Sequence, residues 1–371
     1  MKKPGMLVLL AALCMALSGC QVTGEVENQA YVLVLALDNA EDGALTLTAR
    51  VPQIGKSGNK GEQEKAGDSP YLVFSVSAPS WSLALDALQW STPRQINLSH
   101  IEMIIASEAL ASQASFPELM NQIADTPHLY TNARFVVCAG SARAFLEAGK
   151  TVIGTRLSSE INAMLSQYAR QSYIPDVSFA DACYSANAIY GDPIAIWGYT
   201  ADAAPSGNDR SISVVESPMR QRFSGTALFR RGVFVRTLPS EATRLLNLIR
   251  GQSKVLSHVW QGASYELTLD SPPDIKVLID GSVVTISLRM ALRVGDSLPD
   301  GVVTALETAI RADIDRLIVD CRQAGCDPFG FAELAAGQFA TVPQWLAFDW
   351  PGRYAHAAVE TFVHVSRRQA S

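Results

Sequence analysis

Few residues in this sequence stand together in a pattern that does chemistry, and the clearest are Ser99, His100 and Glu102. On an extended chain successive side chains alternate between faces, so His100 and Glu102 would share one with Ile96, Leu98 and Ile104. An imidazole hydrogen-bonded to a carboxylate can act as a general base. No nucleophile is indicated beside them, and a core histidine satisfied by a carboxylate is the structural alternative. The sequence has no G-x-S-x-G elbow, Walker A loop or H-E-x-x-H helix. Its five histidines, at 100, 128, 258, 356 and 364, form no ligand-spaced pair, so no zinc or other metal is expected.

Cysteine offers a different chemistry. Cys20 closes the segment Leu17-Ser18-Gly19-Cys20, after the positive Lys2 and Lys3 and an apolar run over 6–17. This is the three-part layout of an export signal. The run is shorter than the roughly 20 apolar residues that a membrane span needs. Leu-Ser-Gly-Cys resembles the bacterial lipobox, in which cleavage precedes the cysteine and its thiol accepts a diacylglyceryl group. A thiolate is the good nucleophile available near neutral pH, and stable anchoring takes two acyl chains. Residues 1–19 therefore read as a lipoprotein signal peptide, with Cys20 the lipidation site and membrane lipid its partner. Cys138, Cys183, Cys321 and Cys326 are too sparse for a disulfide scaffold. Cys321 and Cys326 leave two readings open, a local disulfide after export or two free thiols.

Composition bounds the rest. Hydrophobic residues at 48% and charged ones at 18% describe a globular chain, and the length suits two or three domains. A formal net charge of −6, more negative once Lys2 and Lys3 are removed, gives no footprint for nucleic acid. Within this acidic chain, Arg210, Arg220, Arg222, Arg230, Arg231 and Arg236 fall in a stretch whose only acids are Asp209 and Glu216. Arg220, Arg222, Arg230 and Arg231 are candidates for contact with anionic headgroups or an acidic partner. A strand edge guarded by arginines is the structural alternative. Phe329, Phe331, Trp345 and Trp350, bracketed by Gly330, Pro343 and Pro351, read as packing for an irregular connection rather than a ligand box.

The elements that position these residues follow from periodicity. Residues 31–37 form an apolar run that ends at Asp38, a buried strand with its hairpin partner at 44–51. The glycine-rich charged stretch 55–68 reads as an exposed loop. After a strand at 71–76, Ser80 caps a helix with Trp81, Leu85, Leu88 and Trp90 at helical spacing. Residues 96–106 read as one strand, 107–124 as helix restarted at Pro117, and 134–139 as strand. A short helix at 141–148 and an amphipathic one at 154–170 follow. Strands at 221–229 and 233–237 flank Arg230-Arg231-Gly232, and a helix at 240–249 ends by Gly251. Strands at 263–269, 275–279 and 282–294 include an Asp280-Gly281 hairpin turn. The longest helix, 299–324, ends at Gly325, and 354–367 alternates as a last strand. The expected organisation is a signal at 1–19, an N-terminal α+β region at 20–200 with a break near 150, a linker at 201–218 and a C-terminal α+β domain at 219–371.

Several segments, in order, carry a family resemblance. They are the strand 31–38 ending in Asp38, and Pro93-Arg94-Gln95-Ile96-Asn97-Leu98-Ser99-His100 followed by Ser107-Glu108-Ala109-Leu110-Ala111. Then come Gly225-Thr226-Ala227-Leu228-Phe229 with Glu241-Ala242-Thr243-Arg244, and Gly325-Cys326-Asp327-Pro328-Phe329-Gly330-Phe331. The chain resembles the C subunit of bacterial spore germinant receptors, the Ger(x)C family of lipoproteins. It departs from the family at Gln21-Val22-Thr23-Gly24-Glu25, where Trp-Asp is usual after the cysteine, and at Asp327-Pro328, where Asp-Ile is usual. The resemblance implies an α+β protein of about three small mixed sheet-and-helix domains, without enzymatic activity or cofactor. It implies a lipid-anchored protein on the outer face of the spore inner membrane, beside two multi-spanning subunits, one transporter-like. Together these would sense a nutrient and trigger germination. The reading from another class is a solute-binding lipoprotein of a transporter, which requires two β/α lobes with parallel strands.

Overall fold

The computed structural model describes residues 28–53, 71–149, 157–203, 219–295 and 298–367. Cys20 with its signal, the 55–68 loop, Arg210 and most of the 201–218 stretch lie outside the described residues. The fold is mixed α+β. Its strands are β1 (Gln29–Tyr31), β2 (Val34–Asn39), β3 (Leu45–Pro52), β4 (Tyr71–Ala78), β5 (Gln95–Asn97), β6 (Met103–Ser107), β7 (Arg134–Cys138) and β8 (Ile194–Thr200). They continue as β9 (Gln221–Arg230), β10 (Val233–Leu238), β11 (Val255–Trp260), β12 (Ala263–Leu269), β13 (Asp274–Asp280), β14 (Val283–Val294) and β15 (Ala358–Arg367). The helices are α1 (Trp81–Trp90), α2 (Glu108–Ala111), α3 (Phe116–Ala124), α4 (Ala142–Glu147), α5 (Leu157–Arg170) and α6 (Phe179–Asn187). After them come α7 (Ser240–Ile249), α8 (Asp300–Gln323), α9 (Phe331–Ala336), α10 (Val342–Ala347) and α11 (Trp350–Ala355).

An eight-stranded sheet runs β10-β9-β8-β7-β6-β2-β3-β4. Its centre, β2, β6, β7 and β8, is parallel, and the outer pairings are antiparallel. Parallel strands need cover on both faces and so read as near-continuous apolar runs. β2 shows the result. Val34 and Ala36 enter one buried cluster with Val136 and Ile196, while Leu35 and Leu37 enter another with Val137 and Phe229. The sheet crosses the 201–218 stretch, because β8 and β9 on either side of it are antiparallel neighbours.

The second sheet, β11-β12-β14-β13, is antiparallel, and β15 adds to β14 in parallel along ten residues. The Gly281-Ser282 turn closes the β13–β14 hairpin, with Asp280 opposite Val283. Leu306, Ile310, Ile314, Leu317, Ile318 and Cys321 bury one stripe of α8, at the spacing read from the sequence. Thr361, Val363 and Val365 alternate inward on β15. This sheet and α8 share a continuous core with one face of the first sheet. A short ladder, β1 parallel to β5, stands apart from both sheets.

Three expectations need correction. The strand read over 96–106 is two, β5 and β6, separated by a turn at Ser99 and His100. Trp90, placed with the apolar set of its helix, is 85% exposed, while Trp81, Ala84 and Leu88 make the buried stripe of α1. The connection after α8, read as irregular, contains three short helices, two of them with Pro343 or Pro351 in the first turn. Proline fits there, where its missing N–H has no intrahelical partner to lose.

Candidate functional site

The turn that splits the 96–106 strand removes the pairing of His100 with Glu102. His100 is exposed, its Nδ1 lies 2.8 Å from Ser99 Oγ, and its ring meets Tyr31 edge-on at 4.8 Å between centroids. A core histidine facing a carboxylate does exist, at His258 on β11, with Nε2 3.9 Å from Asp313 of α8. Burial pushes its pKa down, and the Asp313 charge opposes that shift. Among the described residues no group of three His, Cys, Asp or Glu side chains is placed to hold a metal ion. The four described cysteines are free and buried. Cys321 and Cys326 meet because Cys326 N–H donates to Cys321 O at 3.1 Å and Gly325 N–H to Arg322 O at 2.9 Å. These two bonds form a Schellman motif, which brings the third residue from the helix end against the second residue past its cap.

The candidate arginines do not form one patch. Arg220 and Arg222 stand at the start of β9, Arg230 and Arg231 at its end, roughly 30 Å away along an extended strand. Arg220 pairs with Asp202, and Arg222 donates to Met219 O. Arg231 N–H donates to Asp192 Oδ1 at 2.8 Å. Arg230 packs against Gly325, where an added Cβ would meet its side chain at 3.3 Å.

Next to this last pair lies a buried polar cluster. Asp327, buried, accepts from Phe329 N–H at 3.2 Å and from Ala332 N–H, in the first turn of α9, at 2.6 Å. Its own N–H donates to Asp192 Oδ2 at 2.8 Å. Arg250, at the end of α7, donates to Pro328 O. Burial and the nearby Asp192 charge raise the Asp327 pKa to about 6 against the pull of its backbone donors. Asp192 is raised as well, chiefly by burial, and Arg250 is lowered by burial. One cluster thus ties four segments: the approach to β8, the β9–β10 turn, the end of α7 and the α8–α9 connection. Trp345 Nε1 adds a bond to Ile189 O at 3.1 Å across the same junction. Phe329, Phe331, Trp345 and Trp350 are buried beside it as packing.

The other distinctive segments form joints too. Between Ile196 and Gly198 of β8 the pairing advances from Thr226 to Phe223, so β9 carries one extra residue, a bulge at Ser224-Gly225. Gly225 takes φ +99, and a Cβ there would lie 2.1 Å from Leu238 O, so only glycine fits. Next to it Thr226 and Thr243 share a buried hydroxyl bond of 2.9 Å that seats α7 on β9. Arg244 covers the Tyr173 ring at 4.5 Å and donates to Ser257 O at 3.1 Å, linking α7 to the second sheet. Asp38 accepts from Ala142 N–H and Arg143 N–H, each at 2.8 Å, closing the first turn of α4. These residues hold elements together. They do not assemble a nucleophile with a base.

Two mixed sheets with separate helices, locked by buried polar joints, define a multi-domain α+β protein. The chain belongs to the Ger(x)C family of spore germination proteins. The model described as the spore germination protein N-terminal domain matches residues 23–196. The model described as spore germination B3/GerAC like, C-terminal, matches residues 224–370. YfkR of Bacillus subtilis (strain 168), a protein named for spore germination, is 29% identical over 141 residues. That alignment covers 38% of this chain and 36% of the relative, so the chain spans about a third of that relative's length. The crystal structure of the GerBC protein shares the fold, with TM-score 0.52 at 12% identity over 90% of this chain and 97% of that one.

Proposed function

We propose that this chain is a lipid-anchored, noncatalytic subunit of a nutrient germinant receptor. In this reading Cys20 carries the lipid and holds the folded part on the outer face of the spore inner membrane. Two multi-spanning subunits, one transporter-like, sit beside it, and the assembly triggers germination. The observation that supports this most is the succession of both spore germination matches along one chain, N-terminal then C-terminal. The joints support it physically. A cluster that ties four segments joins the first sheet to the α8–α9 connection, as suits a part that transmits force or position between partners. The solute-binding reading is less well supported, since the second sheet is largely antiparallel and gives no second β/α lobe.

Capture of a tagged chain from sporulating-cell membranes tests the assignment. Two multi-spanning proteins, one of them transporter-like, are expected to come with it. Recovery alone, or with an ATP-driven importer, would overturn it.

A further inference from the structure

The β1–β5 ladder fixes where the chain leaves the fold towards Cys20. β1 and β5 are parallel with Gln29 beside Gln95, so the residues before each strand enter from the same end. Before β5 stands the C-terminal end of α1. Gln89 ties that end to the ladder, donating to Arg94 O and accepting from Ile96 N–H, both at 2.9 Å. The next residue is Trp90, 85% exposed and the most exposed large hydrophobic side chain among the described residues. Leu83, 51% exposed, lies seven positions earlier on the same helical face. The chain from Cys20 to Asn28 is eight residues, at most about 27 Å when fully extended.

We propose that the outer face of α1, with Trp90 at its tip, rests on the membrane surface that holds the lipid. This rests on the assignment of Cys20 as the anchor. A tether of that length keeps the β1–β5 end within about 27 Å of the bilayer, and Trp90 is the aromatic presented there. Indole suits the headgroup level because it couples a broad apolar ring to one N–H donor. Asp86 is exposed on the same face, so the contact does not draw on anionic lipid. Leu83 and Trp90 supply it by apolar burial.

The test uses the full lipidated protein in vesicles of brominated phosphatidylcholine, a neutral lipid whose bromines quench nearby indoles. The chain has six tryptophans, so emission is compared between the wild type and Trp90→Phe, and flotation is measured on the same samples. A quenched component in the wild type that Trp90→Phe lacks is the expected result. Flotation with identical quenching in the two proteins would overturn the Trp90 contact while leaving the anchor standing. Failure of the lipidated protein to float would overturn both. A photoreactive residue at position 90 in native membranes should give lipid adducts, and an adduct with another protein instead would assign this face to a receptor partner.

Discussion

Two regions of this molecule are built on opposite principles. Around Asp327, charged groups are buried and held by backbone partners, local ones for the Asp327 carboxylate and distant ones for Asp192 and Arg250. At the β1–β5 ladder, three residue pairs and one glutamine latch carry an apolar side chain into the open. Burial makes the first region intolerant, because removing one partner leaves another desolvated and unmatched. Exposure makes the second tolerant in stability, so what it presents is free to serve contact. The distinctive segments of this sequence therefore divide into joints, which hold the fold, and a face that the fold does not need.

Breaking a joint gives the largest effects. Gly225→Ala forces a side chain into φ +99 with a backbone oxygen 2.1 Å from its Cβ, and should cost about 3 kcal/mol or more in urea unfolding. Asp327 gives a pH signature. Its folded pKa, about 6, lies above the ordinary carboxylate value, so its contribution to stability is full at low pH and lost as pH rises through about 6. The span is on the order of 2–3 kcal/mol between pH 4 and 7, and Asp192 acts in the same direction. Unfolding curves of Asp327→Asn across that range should be flatter than those of the wild type. An unchanged slope would remove Asp327 from the account. In the exposed region, Trp90→Ala should alter stability by no more than about 0.5 kcal/mol, since the side chain is outside the core. A loss as large as that at Gly225 would erase the contrast between the two regions.

Much of the scaffold was legible in the sequence. The α8 stripe, the β13–β14 hairpin, the Pro117 restart of α3 and the alternation of β15 follow directly from local periodicity and turn chemistry. β8 is fainter in the sequence, its short apolar run following Gly191-Asp192-Pro193, a turn signal that marks a buried strand. The β1–β5 ladder joins segments 66 residues apart, and periodicity carries no information on such pairing. For the same reason Asp327 stood out as part of a distinctive segment, but its bond to Asp192, 135 residues away, did not. The arginines misled differently. Closeness in sequence along an extended strand is separation in space, so Arg220 and Arg231 lie at opposite ends of β9. Spacing alone sets Trp90 with the apolar residues of its helix, whereas its 85% exposure depends on which helix face the sheet covers.

The proposed role depends on a lipid tether at Cys20. Cys20→Ala spores test it most directly, by membrane fractionation alongside nutrient-triggered germination. The expected result is a folded protein that leaves the membrane fraction and spores that no longer respond to the nutrient. Retained membrane association with full germination would contradict it.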